Sequence, residues 1–243
     1  MKKKIRLGVN IDHVATLRNA RNENFPDLIK VVDLLNKNNV DLITVHLRED
    51  RRHIKDCDVE EIRKKNLLPL NLEMAATEEM KKICLKTQPY SCCIVPERRE
   101  ELTTEGGLDV KNQLNYLGEF VQDFKNTEIK LALFIDPEID QIEAASRIGV
   151  NVVEIHTGKY ARCFNNNYEY ELKRIKDAAK HCEKLGIDCH AGHGLNYENA
   201  REIALIPNVI ELNVGHFLIS NSVFDGLEGT IKKFMKIINH ASI

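Results

Sequence analysis

No stretch of this 243-residue chain approaches the run of about 18 apolar residues that a membrane-spanning helix needs, so no such helix is expected. The N-terminus is basic, Met1-Lys2-Lys3-Lys4, but residues 5–9 are too few and too broken by Gly8 to form a signal-peptide core. A cytoplasmic protein is expected. An excess of either charge is also missing. With 35 Lys and Arg against 37 Asp and Glu, the net charge of −2 argues against nucleic acid as the main partner. The seven cysteines are odd in number and include no C-x-x-C pair. No histidines accompany them at zinc-ligand spacing, so buried thiols are expected rather than a structural metal site. No single element carries H-x-H or H-x-x-x-H, and no G-x-G-x-x-G turn follows the first strand.

What is present is a hydrophobic fraction of 43%, enough for a full core, arranged in a repeating pattern. Strands are expected at 5–12, 42–47, 69–74, 91–96, 130–135, 152–158, 187–191 and 209–216, each followed by a helix. Residues 13–24 read as a polar loop. Pro26 is expected to open the first helix at its favoured position, and Asp58 to cap the next. Further helices are expected from Thr77, over 114–124, through Ile142, Ala145 and Ile148 to a stop at Gly149, from Glu169 to Leu185 with Gly186 as stop, over 198–205 and over 223–238. A short helical turn is expected near 217–220. Eight β–α units over this length predict an α/β protein: one (β/α)8 TIM barrel domain spanning 1–243, with a few extra short helices. An open doubly wound sheet is the alternative. It is disfavoured because polar residues end most strands instead of gathering at one switch point.

Alternation along the strands sorts the side chains. Val9, Ile11, Ile43, Val45, Leu47, Leu70, Leu72, Val153, Ile155, Leu212 and Val214 form an apolar face that must meet the helices. Asn10, Asp12, His46, Arg48, Asn71, Glu73, Glu154, His156, His193 and Asn213 fall on the inner or upper face. Leaving so many buried polar groups unpaired would cost several kcal/mol each. A barrel built only for stability fills its interior with Val, Ile and Leu, so this set points to chemistry.

Two glycine loops, Gly192-His193-Gly194 and Gly215-His216, follow the last two strands, where barrels commonly hold phosphate. Ordinary turns are the plainer alternative. His46, Glu73, His156 and His193 are acid/base candidates, because imidazole titrates near neutrality and burial raises a glutamate. Arg21, Arg48 and His53 form a second anion-binding set, whereas Arg51 and Arg52 read as surface charge. The long loop after strand four, with Thr103-Thr104-Glu105-Gly106-Gly107, fits a lid over substrate.

Eight segments together are distinctive: GVNIDHVATLRNAR at 8–21, ITVHLREDRRHI at 43–54, NLEMA at 71–75, VPE at 95–97, TTEGGLD at 103–109, EIHTG at 154–158, AGHGL at 191–195 and ELNVGH at 211–216. In this order they closely resemble the pyridoxine 5'-phosphate synthase family of the bacterial vitamin B6 pathway. The resemblance implies condensation of 1-deoxy-D-xylulose 5-phosphate with 3-amino-2-oxopropyl phosphate to pyridoxine 5'-phosphate, phosphate and water. It implies no metal and no organic cofactor, and a homo-octamer built from dimers. It also implies roles. His46 and Glu73 match the proton acceptors and His193 the proton donor. Asn10, Arg21, Gly194, Gly215 and His216 match ligands of the aminoketone phosphate. Asp12, His13, Arg48, His53 and Thr103 match ligands of the deoxyxylulose phosphate. Departures, such as Asn165-Asn166-Asn167, lie outside these motifs. An isomerase or aldolase on the same barrel is the competing enzyme class; an aldolase would want a strand-end lysine, and only Lys159 comes near.

Overall fold

A computed structural model describes residues 4–97 and 106–240. Eight parallel strands pair in sequence order and close on themselves: β1 (Arg6–Asn10), β2 (Leu42–His46), β3 (Leu70–Met74), β4 (Ser91–Ile94), β5 (Lys130–Ile135), β6 (Val152–His156), β7 (Asp188–Gly192) and β8 (Val209–Val214). Val9, Ile43, Val45, Leu72, Val153, Ile155 and Leu212 are fully buried in one core shared with the surrounding helices. The outward face is therefore apolar because parallel strands covered by helices meet no water there.

Ten helices accompany the strands among the described residues: α1 (Asp12–Asn19), α2 (Leu28–Lys37), α3 (Asp56–Lys65), α4 (Glu78–Thr87), α5 (Leu114–Phe120), α6 (Ile139–Arg147), α7 (Gly158–Cys163), α8 (Glu169–Leu185), α9 (Ala200–Ala204) and α10 (His216–His240). Several boundaries differ from expectation. The polar loop at 13–24 contains α1, whose Val14 and Ala15 are buried while Leu17 is exposed. Pro26 does not open α2. Asp27 does, its carboxylate accepting from the Ile29 and Lys30 N–H groups, an arrangement that typically contributes about 1 kcal/mol. Asp58 caps α3 from inside the helix by accepting the Lys55 N–H at 2.8 Å. Strands 1, 6 and 8 stop earlier than expected, since Asp12, Gly158 and His216 each begin a helix, and strands 2 and 4 also end short, at His46 and Ile94. The turn expected near 217–220 is the first part of α10, which breaks at Gly226 (φ 66, ψ 156) before continuing. Gly186 ends α8 in the left-handed conformation, as expected.

The barrel interior is largely polar, and hydrogen bonds link most of its central groups. The Thr44 hydroxyl donates to Asn213 Oδ1 at 3.1 Å, and Asn71 Nδ2 donates to Thr44 Oγ1 at 3.3 Å. Ser91 donates to Asn71 Oδ1 at 2.9 Å, while Asn213 Nδ2 donates to Glu154 Oε2 at 2.7 Å. Lower down, Arg6 pairs with Glu211 at 3.0 Å and His190 lies 3.1 Å from the same carboxylate. Cys93, Val95, Ala132 and Phe134 supply an apolar patch on the β4–β5 side. All seven cysteines are free thiols, five of them buried. This chain of hydrogen bonds resolves the cost of burying polar groups and carries order from the barrel centre to its upper mouth.

Candidate active site

The C-terminal ends of the strands all open at one mouth, the end where barrel enzymes do their chemistry. His46 ends β2 and is the register partner of Glu73 on β3. Donor atoms of Asp12, His46 and Glu73 lie within 4.8 Å of one another. Asp12 is locked in place: Asn10 Nδ2 donates to its Oδ2 at 2.8 Å, and the His46 N–H donates to its Oδ1 at 2.9 Å. Its own N–H donates to Asn10 Oδ1 at 2.9 Å. These three residues are the one group among the described residues with metal-ligand geometry. Both Asp12 oxygens are already engaged, however, by hydrogen bonds from Asn10 and the His46 N–H.

Burial and crowding govern protonation here. Burial pushes the Glu73 carboxyl well above its usual range, and the charges of Glu154 and Asp12 add to the effect. Burial also raises Glu154, with Glu211 adding repulsion against the Asn213 hydrogen bond, to about 8. Burial thus raises both carboxyl groups, and Glu154 at about 8 keeps its proton at neutral pH.

The basic side is built from the loop after β2. His46 Nε2 lies 3.3 Å from Glu97 Oε2, and Arg48 Nη2 lies 3.7 Å from Glu97 Oε1. The Glu49 N–H also donates to Glu97 at 3.0 Å. Burial alone would raise Glu97, but these partners hold it below the usual carboxylate range. His53 Nδ1 accepts the Ile54 N–H at 2.9 Å, which leaves Nε2 as the donor. Burial lowers this imidazole, so it is neutral near pH 7. The position of His53 comes from α1. Asn19 Nδ2 donates to the His53 carbonyl at 2.8 Å, while the Arg18 guanidinium forks onto Asp58 at 2.6 and 2.8 Å. Arg51 pairs with Asp56 and Glu79, and Arg52 with Asp50, in keeping with surface charge.

On the other side, β7 and β8 pair so that Gly192 faces Asn213. His193 and Gly194 both adopt positive φ, 78° each. For His193 this is a strained conformation, and the residue just past β6 holds it: the Thr157 hydroxyl donates to the carbonyls of Gly192 and His193 at 2.7 and 2.6 Å. Burial is the main reason the His193 imidazole is lowered to about 4, with the charges of His156, Arg162 and His216 adding to it. Gly215 is required by Asn10, since a Cβ there would lie 2.9 Å from the Asn10 Cβ. His13 and His216 meet edge to face, ring centres 4.9 Å apart. Burial, then His216, lowers the His13 imidazole against the opposing pull of Asp12.

The mouth therefore gathers Asn10, Asp12, His13, His46, Arg48, His53, Glu73, His193, Gly194, Gly215 and His216. Arg21 is not brought against them; its side chain is 82% exposed and pairs with Glu23. Thr103 lies outside the described residues. Glu154 was placed on the inner face by strand alternation, whereas three contributors were not singled out from the sequence: Glu97, Thr157, and the Arg18–Asn19 pair. Glu97 carried a usable signal, an acid just past a strand. Thr157 carried none, because a hydroxyl beside a glycine is common in any turn.

A closed barrel with acids, imidazoles and anion-binding groups crowded at its C-terminal mouth is, by fold and site, a (β/α)8 barrel enzyme. A family model described as "Pyridoxal phosphate biosynthesis protein PdxJ" matches residues 7–240, and the chain belongs to that family. Among similar curated relatives, pyridoxine 5'-phosphate synthase of Ehrlichia ruminantium (strain Gardel) is 52% identical over 97% of this chain and 98% of that one. The enzyme of the same name from Zymomonas mobilis subsp. mobilis is 50% identical, over 99% of this chain and 94% of that one. The barrel alone is shared with more distant solved structures. One is an Amycolatopsis orientalis BexX/CysO complex, with TM-score 0.65, 13% identity, and coverage of 100% of this chain and 89% of that one. Another is the tryptophan synthase A-subunit of Pyrococcus furiosus, with TM-score 0.60, 12% identity, and full coverage of both chains.

Proposed function

We propose that this chain is a pyridoxine 5'-phosphate synthase. It joins 3-amino-2-oxopropyl phosphate to 1-deoxy-D-xylulose 5-phosphate and releases pyridoxine 5'-phosphate, phosphate and water. The observation that carries this is the pairing of His46 with Glu73 beside Asp12, in a chain of this family. The chemistry needs repeated proton transfers: imine formation, loss of water and phosphate, ring closure and aromatisation. Groups that can hold or release a proton near neutrality serve each step. Glu73 and His46 take protons from carbon and oxygen, and His193 returns protons to leaving groups. In the ligand-free chain His193 is neutral, so its role as donor depends on incoming phosphate. The aminoketone phosphate, held near Gly194, Gly215 and His216, raises its affinity for a proton. Arg48 and His53 hold the deoxyxylulose phosphate, with Asp12, His13 and Thr103. Asn10 and Arg21 hold the aminoketone phosphate with the glycine loops. Glu154, protonated and hydrogen-bonded to Asn213, supplies a neutral donor beneath the reacting atoms.

The same proposal includes the cytoplasm as compartment, one catalytic domain over 1–243 and a homo-octamer built from dimers. No helix among the described residues is long and apolar enough to cross a membrane. Leu17, Phe25, Val223 and Phe224 are exposed by 58, 75, 79 and 85%, and α1 packs against α10. Their apolar faces support a second copy covering this edge, and Arg21 extends from the same segment. A strand-end Schiff-base aldolase is disfavoured because Lys159 stands exposed on α7, without the burial that lowers a lysine pKa.

The test is an omission experiment. With both phosphorylated substrates, mass spectrometry detects pyridoxine 5'-phosphate; with either one omitted, none forms. Turnover of a single sugar phosphate in place of the pair points to the isomerase or aldolase class.

A further inference from the structure

His156 is buried at the end of β6, its side chain fully covered, and its Nδ1 lies 3.0 Å from Asp136 Oδ1. The Asp136 carboxylate also accepts the Gly107 N–H, and its pKa is held down first by His156 and further by Lys159. A carboxylate accepts only, so Nδ1 carries the proton toward it. The opposite ring nitrogen, Nε2, is buried and has no hydrogen-bond partner among the described residues. Leaving such a group unpaired costs about 1–3 kcal/mol, and a purely structural ring gains nothing from it. The ring is also fixed on its faces: Phe134 lies 5.1 Å away, centre to centre, and His193 lies 5.1 Å away at 68°. Gly158 makes room for both imidazoles, since a Cβ there would sit 2.4 Å from His156 Nε2 and 2.9 Å from His193 Cδ2.

We propose that Asp136 and His156 are positioning residues for His193: the carboxylate fixes the His156 ring, and that ring fixes the orientation and charge environment of the His193 imidazole. The proposal rests on the functional assignment of His193 as the proton donor. Its geometry runs in one line from the end of β5, through β6, to the loop after β7. Charged or titratable groups facing His193 are His156 from β6, Arg162 from α7 and His216 from α10. Those facing His156 are Asp136 and His193, with Lys159 acting on Asp136. Positive charge on His156 disfavours a proton on His193. Removing His156 as a titratable group therefore moves the His193 titration to higher pH.

The experiment follows the His193 ring by NMR titration in the full-length wild type, His156→Phe and Asp136→Asn, alongside steady-state rates for both substrates. His156→Phe keeps an aromatic ring beside Phe134 but loses the bond to Asp136. Asp136→Asn keeps an acceptor oxygen but loses the charge. His156→Phe is expected to shift the His193 midpoint upward and Asp136→Asn to move it, and both to lower kcat about tenfold or more, with KM changed less than about twofold. Gain of KM alone, or a His193 midpoint unmoved in Asp136→Asn and in a folded His156→Phe, overturns the proposal. If His156→Phe does not fold, Asp136→Asn decides alone. A wild type that makes no pyridoxine 5'-phosphate refutes the functional assignment, while the titration still tests the link between the two rings.

Discussion

His46 and Glu73 stand opposite each other across the β2–β3 pair, and the His46 N–H is tied to Asp12. One imidazole and two carboxyl groups thus share a space in which the ligand atoms are no more than 4.8 Å apart. At that separation a proton gained by one group changes the energy of the others.

Glu73→Gln keeps the size and hydrogen-bonding capacity of the side chain but cannot accept a proton from carbon. Turnover is expected to fall by about 10²–10⁴, with binding of both substrates, measured by calorimetry, within a few-fold of wild type. Unchanged turnover refutes the role of Glu73 as a base.

His193 is predicted to titrate near 4 in the ligand-free protein, because burial disfavours its charged form. Saturating inorganic phosphate places negative charge nearby and is expected to move the midpoint toward neutrality. The His193 ring signals report this directly by NMR. A midpoint that stays put with phosphate bound removes the reason for assigning His193 as donor.

Glu154→Gln makes a prediction about stability with a definite sign. The folded-state value of about 8 lies above the ordinary value of about 4.3 in an unfolded chain. Stability from this group is fully present below the unfolded value and is lost as pH rises through the folded one. Glutamine retains an oxygen for Asn213 Nδ2 and does not ionise. Urea unfolding should show the variant and wild type close at pH 5, and the variant ahead by roughly a few kcal/mol at pH 8.5. Equal pH dependence in the two proteins contradicts the assigned protonation.

Much of this site could be read before any coordinates. Ile43, Val45 and Leu47 against His46 and Arg48 separate cleanly because strand geometry alternates, and that alternation survives folding unchanged. The glycine loops after β7 and β8 were visible for the same reason: eight units in order place their ends together. Helix α1 was not visible, because only Val14, Ala15 and Leu17 are apolar and Leu17 faces outward. Asp27 was overlooked in favour of Pro26, although a side-chain acceptor at the helix start satisfies free N–H groups that proline merely lacks. Glu97 is 51 positions from His46, and its approach to Arg48 depends on how β4 enters the barrel, which no local pattern records.

Glu97 also sits where an anionic substrate must compete, beside His46 and Arg48. Glu97→Gln keeps an acceptor for the Glu49 N–H and removes the charge. KM for 1-deoxy-D-xylulose 5-phosphate is expected to fall several-fold, and its dependence on ionic strength to change with it. A higher KM would mean that Glu97 recruits the substrate instead of yielding to it.

The most direct measurement counts two products in one reaction. Purified protein is mixed with 3-amino-2-oxopropyl phosphate and 1-deoxy-D-xylulose 5-phosphate, and pyridoxine 5'-phosphate and inorganic phosphate are quantified together over time. Joint condensation and elimination at this mouth predicts that both appear in equal amounts and at equal rates. Phosphate released without pyridoxine 5'-phosphate, or neither product despite both substrates binding, would contradict it.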